Sequence, residues 1–470
     1  MTESSAGRIN VAFIGLIVAV ATIGGFMFGY DSGVINGTQE GLDKAFNLSE
    51  LGTGLNVGAI LIGCAAGAFL AGRLSDLIGR RAVMMIAAVL FIVSALAAGA
   101  AGSSAVFILA RIVGGLGVGA ASVLAPVYIS EVVPANIRGR LSSIQQIMII
   151  TGLTGAFFAN YALAHSAGGS LGTLWGGYPA WRWMFWLQVI PASIYFITLL
   201  LIPESPRYLM LKGREAEAEG VLTKLFGADT ARDTVRDIRA SLAIDHHRPK
   251  FSDLRDPATG KIRPVLWAGI MIAVFQQFGG INIVFYYGAV LWRSVGFSEN
   301  DALITNIISG VVSIAACILA LFAIDKIGRK PLLLIGSIGM AVTLSLMAYA
   351  FSTASVGADG GLSMSPGIGK LAFISALAYS AFFNFSWGPV MWVMLGEMFP
   401  NQIRGSGLAV AGFAQWMANF AISLSFPWAA KHIGLPTTYG FYAASALVSF
   451  FLVRTLIKET RGRELEQMTG

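Results

Sequence analysis

Long apolar segments alternate with short charged ones along most of the chain. Between successive Asp, Glu, Lys and Arg residues, the sequence contains twelve charge-free runs of at least 18 residues. A helix rises about 1.5 Å per residue and the hydrocarbon core of a bilayer is roughly 30 Å thick, so each run is long enough to cross a membrane. The twelve predicted spans are 9–30, 51–72, 82–110, 112–130, 141–181, 183–203, 264–292, 302–324, 331–358, 371–396, 405–430 and 432–453.

The composition agrees with this pattern. Only 12% of the 470 residues are charged and 56% are hydrophobic, whereas a soluble chain is usually about 25% charged. Lipid leaves no water to pair with backbone groups, so helices are the expected structure of the spans. The chain is therefore predicted to be an all-α membrane protein with twelve transmembrane helices.

The basic residues predict which side of the membrane each loop occupies. An even number of spans puts both chain ends on one side, and assigning the loops alternately places 26 of the 32 Lys and Arg residues there. Because cytoplasmic loops carry the excess of Lys and Arg, both termini are predicted to be cytoplasmic. The net charge of +7 is accounted for in this way and does not indicate nucleic acid as a partner. The Gly- and Ala-rich composition favours a bacterial inner membrane.

A charged segment divides the chain into two halves. Between positions 204 and 263 lie 22 charged residues, with six spans before them and six after. Apolar residues recur at helical spacing in 214–226, which predicts short amphipathic helices. The predicted domains are a six-helix bundle at 1–202, a cytoplasmic linker at 203–263, a second six-helix bundle at 264–457 and a cytoplasmic tail at 458–470.

Three sequence echoes indicate that the two halves are duplicates. Positions 76–81 return as 325–330, the segment after span six resembles the one after span twelve, and an acid followed seven residues later by a base occurs twice. Parallel repeats suit alternating access around a central site. The repeated charges are either membrane-end anchors or ion pairs that close the cytoplasmic side, a gate built from Arg80, Glu131, Arg138, Arg329, Glu397 and Arg404.

Several motifs match those of a known family over essentially the whole chain. They are Arg111 with Gly114, Gly115, Gly117 and Gly119; Pro126 to Glu131 with Arg138-Gly139; Pro203-Glu204-Ser205-Pro206-Arg207; Gln276-Gln277-Phe-Gly-Gly280-Ile-Asn282; and Gly388-Pro389-Val-Met-Trp392. The chain resembles the sugar porter family of the major facilitator superfamily, and within it bacterial xylose–proton symporters and glucose facilitators. The resemblance implies two pseudo-symmetric six-helix bundles and transport of a monosaccharide.

Asp31 and Arg111 are the ionisable residues closest to the membrane interior. Asp31 follows an outward-running span and Arg111 precedes an inward-running one, so the two are expected to reach a similar depth and to meet. Ionisable groups in membranes usually mark ion or substrate paths. The alternatives are a water-exposed position at the outer boundary or a static structural pair. The resemblance implies that Asp31 takes up the proton in symport and that Arg111 modulates it.

Amide and aromatic side chains inside the spans suit a hydroxylated ligand. Amides donate to and accept from hydroxyl groups, and an aromatic plane covers the apolar face of a sugar ring. Hydrogen bonding between helices is the alternative role. With the residues that the resemblance implies, the predicted sugar site is Gln146, Gln276, Gln277, Asn282, Gly388, Trp392, Gln415 and Trp416. Phe28, Tyr286 and Tyr287 are predicted either to gate this site or simply to pack.

Two departures from the family pattern bear on the substrate. Leu153 and Ser313 stand where xylose symporters and other members carry amides, so a hexose such as glucose is favoured, with xylose as a further substrate. The four histidines lack metal-ligand spacing, and neither an enzyme nor a cofactor is predicted. The expected partners are a sugar, a proton and the lipid bilayer, and the expected state is a monomer. The alternatives are a sugar uniporter, a non-transporting sugar receptor and a drug exporter.

Overall fold

The structure is a computed structural model. It describes residues 10–133, 135–244, 254–255, 260–356, 362–400 and 403–461. Nearly all of this part of the chain is helical.

Seven helices form the first half. Two of them begin at serines whose hydroxyl groups accept a backbone N–H of the first turn, Ser49 from Gly52 and Ser103 from Val106, because the first N–H groups of a helix have no partner within it. The helices are α1 (Val11–Phe46), α2 (Glu50–Ile78), α3 (Arg80–Ala100), α4 (Ser104–Val132), α5 (Ala135–Ala167), α6 (Ala180–Leu187) and α7 (Val189–Leu199).

Three short helices follow the first half. They are α8 (Pro206–Leu211), α9 (Glu215–Phe226) and α10 (Ala228–Ile244). The backbone N–H of Asn10 donates to the carbonyl of Leu225 at 2.9 Å, so α9 lies against the start of α1. We call the side of α8–α10 the terminal side, because α1 begins there, and the other side the opposite side.

Eight helices form the second half. They are α11 (Pro264–Phe278), α12 (Ile281–Ser294), α13 (Glu299–Ile327), α14 (Arg329–Ser352), α15 (Pro366–Phe385), α16 (Trp387–Met398), α17 (Arg404–His432) and α18 (Leu435–Leu456). Between α14 and α15, the two-residue strands β1 (Ser355–Val356) and β2 (Leu362–Ser363) pair in antiparallel fashion.

Breaks within spans distinguish the structure from the sequence prediction. Eleven segments in the described part are long and apolar enough to cross a membrane. The predicted sixth span, 183–203, is instead the pair α6 and α7, which meet at Gln188. The seventh span is interrupted at Gly279 and Gly280, where Gly280 has a φ of 79° that favours glycine. The tenth is interrupted at Ser386.

Glycines allow the helices of the first half to approach closely. A Cβ atom at Gly115 of α4 would lie 2.0 Å from the carbonyl oxygen of Ile60 in α2, and one at Gly63 of α2 would lie 2.1 Å from that of Ile112. Larger side chains would force these two backbones apart. The glycine-rich run of α4 therefore serves helix packing, as small residues do in membrane interfaces.

The two halves meet near the opposite side. The Asn36 side chain of α1 donates to the carbonyl of Phe285 at 2.7 Å and accepts from Asn306 of α13 at 2.8 Å. The carboxylate of Glu299 accepts the backbone N–H of Ser170 at 2.8 Å. These contacts hold the halves together and close the molecule on that side.

Candidate functional site

Asp31 and Arg111 form an ion pair within the first half. Arg111 Nη1 lies 2.7 Å from Asp31 Oδ1, and Nη2 donates to the Asp31 backbone carbonyl at 3.1 Å. Each side chain is only 1% exposed. A charge pair removed from water costs free energy unless further hydrogen bonds satisfy it. Burial of Asp31 and Arg111 therefore costs free energy of folding.

The position of Asp31 differs from the sequence expectation. The first span was expected to end at position 30, but α1 continues to Phe46, so Asp31 lies inside the helix rather than near its end. Its burial also rules out the alternative of a water-exposed carboxylate at the membrane boundary.

The pair is incompletely satisfied. Asp31 Oδ2 and Arg111 Nε are buried and have no hydrogen-bond partner in the described part of the chain. Arg111 also lies 5.8 Å above the ring of Phe185, a cation–π arrangement. Buried polar atoms are nearly always paired, so the unpaired Asp31 Oδ2 is an unusual feature of this site.

Gln188 is the third member of this site, and the sequence reasoning missed it. Its Nε2 donates to Asp31 Oδ1 at 3.0 Å from the break between α6 and α7. The available signal was an amide in the middle of the otherwise apolar sixth span.

Four of the predicted sugar-site amides form one chain of hydrogen bonds in the second half. Gln276 Nε2 donates to the carbonyl of Trp387 at 3.0 Å. Gln276 Oε1 accepts from Gln277 at 3.0 Å and from Gln415 at 3.4 Å. Gln277 Oε1 accepts from Asn282 at 2.5 Å. The break at Gly279–Gly280 brings the amides of α11 and α12 together, and α17 contributes Gln415.

Aromatic residues from both halves flank this amide chain. Trp416 of α17 lies 5.6 Å, centroid to centroid, from Phe28 of α1. Trp392 of α16 is 39% exposed, and Gly388, one turn before it, is buried. The Trp416–Phe28 contact therefore connects the second-half amides to α1, the helix that carries Asp31.

The predicted gate tyrosines are both buried. Tyr286 OH accepts from Asn419 at 3.5 Å. Tyr287 OH donates to the carbonyl of Ser423 at 2.7 Å, and its ring packs 5.0 Å from that of Phe426. In this conformation both tyrosines join α12 to α17 within the second half.

The fifth helix presents its glutamines differently from the prediction. Gln146 is partly exposed, whereas its neighbour Gln145 is buried, with both amide atoms unpaired among the described residues. A Cβ atom at Gly25 would lie 2.9 Å from the Gln145 amide. The Gln145 amide thus faces α1.

Matching charge clusters lie on the terminal side of the two halves. The Arg80 guanidinium donates two bonds of 3.0 Å to Glu131, and Arg329 donates bonds of 3.1 and 2.9 Å to Glu397. Each pair joins two helices of the same half, so neither pair by itself ties the halves together. The side chains of Arg138 and Arg404 lie outside the described residues.

A second carboxylate completes each cluster. Glu204 accepts the backbone N–H groups of Arg80 and Arg81 at 3.0 and 3.2 Å. Glu459 accepts those of Arg329 and Lys330 at 3.1 and 2.9 Å. These glutamates cap α3 and α14 from a distant segment, which satisfies first-turn donors and complements the helix dipole.

Comparison with known proteins decides the family. Residues 17–470 match the family described as "Sugar (and other) transporter". The chain is 46% identical over 468 residues to the glucose transport protein of Synechocystis sp., covering 99% of both chains. It is 39% identical to the D-xylose-proton symporter of Escherichia coli, covering 98% of this chain and 96% of the relative.

The chain belongs to the sugar porter family of the major facilitator superfamily. Members of this family are transporters, not enzymes. The predicted fold is confirmed by the helices of the structure and by its likeness to solved sugar porters.

Solved structures of one sugar porter superpose closely on this one. The partially occluded inward open conformation of the xylose transporter XylE from E. coli has a TM-score of 0.81 at 36% identity, covering 95% of this chain and 100% of that one. XylE bound to 6-bromo-6-deoxy-D-glucose has a TM-score of 0.80 at 39% identity, covering 98% and 99%.

Proposed function

We propose that this protein moves a monosaccharide across a bacterial inner membrane by alternating access, in symport with a proton. The observation that carries the proposal is the fully buried carboxylate of Asp31, which has one oxygen paired to Arg111 and the other unpaired. A buried carboxylate whose pairing is incomplete can exchange its cation for a proton, because the protonated form needs no countercharge.

The second-half amide chain supports a hydroxylated ligand. Gln276, Gln277, Asn282 and Gln415 bond mainly to one another, and such bonds are replaceable one for one by sugar hydroxyl groups. Trp392 and Trp416 supply the ring faces, and Gly388 and Gln146 complete the proposed site. Phe28, Tyr286 and Tyr287 are proposed to close over it.

We propose a hexose, glucose, as the main substrate and xylose as a further one. Leu153 is buried and apolar, which removes a hydrogen-bonding group from α5. The relative that is 46% identical is named a glucose transport protein, and the one that is 39% identical is named a xylose–proton symporter.

The terminal side is proposed to face the cytoplasm, and the protein is proposed to act as a monomer. The terminal-side clusters around Arg80 and Arg329 are then the cytoplasmic gate. Because each Arg–Glu pair is intact while the halves are joined near the opposite side, closure of the cytoplasmic side would need contacts beyond those two pairs.

The test is proton movement driven by sugar. Glucose or xylose is added to lightly buffered vesicles containing the protein, with no gradient imposed, and external pH is recorded beside radiolabelled uptake. Alkalinisation together with uptake is the expected result, and Asp31→Asn should abolish the alkalinisation while sugar exchange persists. Asp229→Asn, an exposed carboxylate in α10, is the matched control and should behave as wild type.

Two outcomes would contradict the proposal. Uptake without any change of pH would make the protein a uniporter and Asp31 a structural charge. Specific sugar binding without uptake would favour a receptor.

A further inference from the structure

Gln188 is held rigidly at the point where α6 meets α7. Its backbone N–H donates to the carbonyl of Phe185 at 3.1 Å, and its own carbonyl accepts the N–H of Ala192 at 3.2 Å. The side chain is 1% exposed. The break in the sixth span therefore presents one neutral amide to Asp31 with little freedom of the backbone.

The Gln188 side chain also has a buried atom without a hydrogen-bond partner, in addition to Asp31 Oδ2. Its Nε2 donates to Asp31 Oδ1 at 3.0 Å, while its Oε1 is buried without a partner among the described residues. An amide oxygen turned toward a carboxylate would repel it, so the nitrogen faces a charged Asp31. A protonated carboxyl group has the reverse need, because it carries an O–H that must find an acceptor.

Rotation of the amide by half a turn exchanges its nitrogen and oxygen at nearly the same place. The oxygen would then lie within hydrogen-bond distance of Asp31 Oδ1 and accept a hydrogen bond from its O–H group. A glutamine is one of the few side chains that can satisfy both forms of a carboxyl group without carrying charge itself.

We propose that Gln188 is a positioning residue that holds the Asp31 carboxyl group in both protonation states, presenting its amide nitrogen to the carboxylate and its amide oxygen to the acid. The inference rests on the proposed symport function. A proton binds the carboxylate, the amide turns, and Arg111 loses its full countercharge.

Gln188 is the neutral side chain that is hydrogen-bonded to Asp31 Oδ1 in the described part of the chain. Arg111 of α4 only donates hydrogen bonds. The thiol of Cys64 in α2 is close enough to interact electrostatically with both members of the pair, and Tyr286 of α12 is close enough to interact with Arg111. A thiol is a weak hydrogen-bond acceptor, so Cys64 could not replace the Gln188 oxygen.

The experiment compares pH profiles of sugar-driven proton uptake and of sugar exchange in vesicles. Gln188→Leu removes donor and acceptor, and Gln188→Glu replaces the donor with a second carboxylate. Hydrogen bonds to a charged group are stronger than those to a neutral one. Gln188→Leu should therefore shift the midpoint of proton uptake upward by about one pH unit, and Gln188→Glu should shift it further.

Asn56→Leu is the matched control. Asn56 is also a buried amide of the first half with an orphaned oxygen, and its nitrogen donates to Ser104 rather than to Asp31. This variant should lower thermal stability to a similar extent and leave the midpoint unchanged.

The acceptor role is tested in the Asp31→Asn background, which mimics the neutral acid. Adding Gln188→Leu there should still lower the melting temperature, because the side-chain N–H at position 31 loses its acceptor. An unchanged melting temperature in that background would mean that Gln188 acts only as a hydrogen-bond donor to the carboxylate. If wild type couples sugar to proton uptake and the pH profile of Gln188→Leu is not shifted, the role of Gln188 is wrong while the proposed function stands. If wild type shows no proton uptake with sugar, the proposed function itself is wrong.

Discussion

The two halves of the molecule share a fold but place different chemistry at its centre. The first half buries a charge pair, Asp31 with Arg111, joined by the single amide of Gln188. The second half buries a chain of neutral amides built around Gln276. The Asp31 carboxylate is paired with the charged Arg111, whereas the amides are bonded largely to one another.

This difference separates two tasks. An unpaired charge inside a membrane is costly. A proton can neutralise the Asp31 carboxylate, so the charged site suits a small cation such as a proton. Amides can exchange partners with hydroxyl groups at little net cost, so they suit a sugar. Under the proposed function, the first half binds the proton and most of the sugar site lies in the second half.

The largest expected effect comes from breaking the amide chain. Gln276→Leu removes the oxygen that accepts from both Gln277 and Gln415, leaving two buried donors unpaired. Sugar affinity, measured as the half-saturation of counterflow, should weaken about 10- to 100-fold, because the sugar loses its hydrogen bonds to the Gln276 amide, which contribute about 1–3 kcal/mol. The pH midpoint of proton uptake should stay unchanged; a shifted midpoint would show that the halves do not divide the tasks.

A smaller effect is expected from the terminal-side clusters, where the halves look most alike. Glu131 and Arg80 are each 10% exposed, whereas Glu397 is 26% exposed. Breaking a more buried pair leaves a less solvated charge behind. Glu131→Gln should therefore destabilise by about 2 kcal/mol and Glu397→Gln by about half of that, as measured by thermal unfolding in detergent. Equal losses of stability in the two variants would show that the difference in burial does not change the free energy contributed by the two ion pairs.

The smallest effect concerns the cap on α14. Although burial raises the pKa of Glu459, the backbone N–H groups of Arg461, Arg329, Lys330 and Thr460 outweigh it and leave the pKa below its ordinary value. A lowered pKa contributes stability that is present above the ordinary value and is lost as the pH falls through the lowered one.

Glu459→Gln tests this pH dependence. The variant should be less stable than wild type at pH 7 by less than about 1 kcal/mol, because the side chain is only half-buried and solvent weakens its interactions. The gap should narrow as the pH falls through the acidic range. A gap independent of pH would mean that the carboxylate charge does not strengthen the cap.

Much of the fold could be predicted from the sequence, because membrane spans depend on local apolar length. The similarity of 76–81 to 325–330 predicted the duplication. The alternating direction of the spans predicted that Asp31 and Arg111 meet. The breaks at Gln188 and Ser386 were not predicted, although Pro191 and Pro389 follow them by three residues. A proline has no backbone N–H to donate to the carbonyl four residues earlier, here that of Leu187 or Phe385, as a continuous helix requires.

The remaining site residues depend on tertiary contacts. Glu204 and Glu459 were visible as parts of a repeated motif, but their role as caps of α3 and α14 depends on segments that lie more than a hundred residues away. Gln145 and Gln146 are adjacent, and only the packing of α5 against α1 shows which of them is buried.

α1 is one uninterrupted helix of 36 residues, about 54 Å long at 1.5 Å per residue. The residue before its first turn is hydrogen-bonded to α9, its interior carries Asp31, and Asn36 lies in the interface that joins the halves. A stiff rod of this kind acts as a lever, because a tilt at one end displaces the other. Under the proposed function, protonation of Asp31, release of the Asn36 contact and movement of the linker are then coupled through the movement of this one helix.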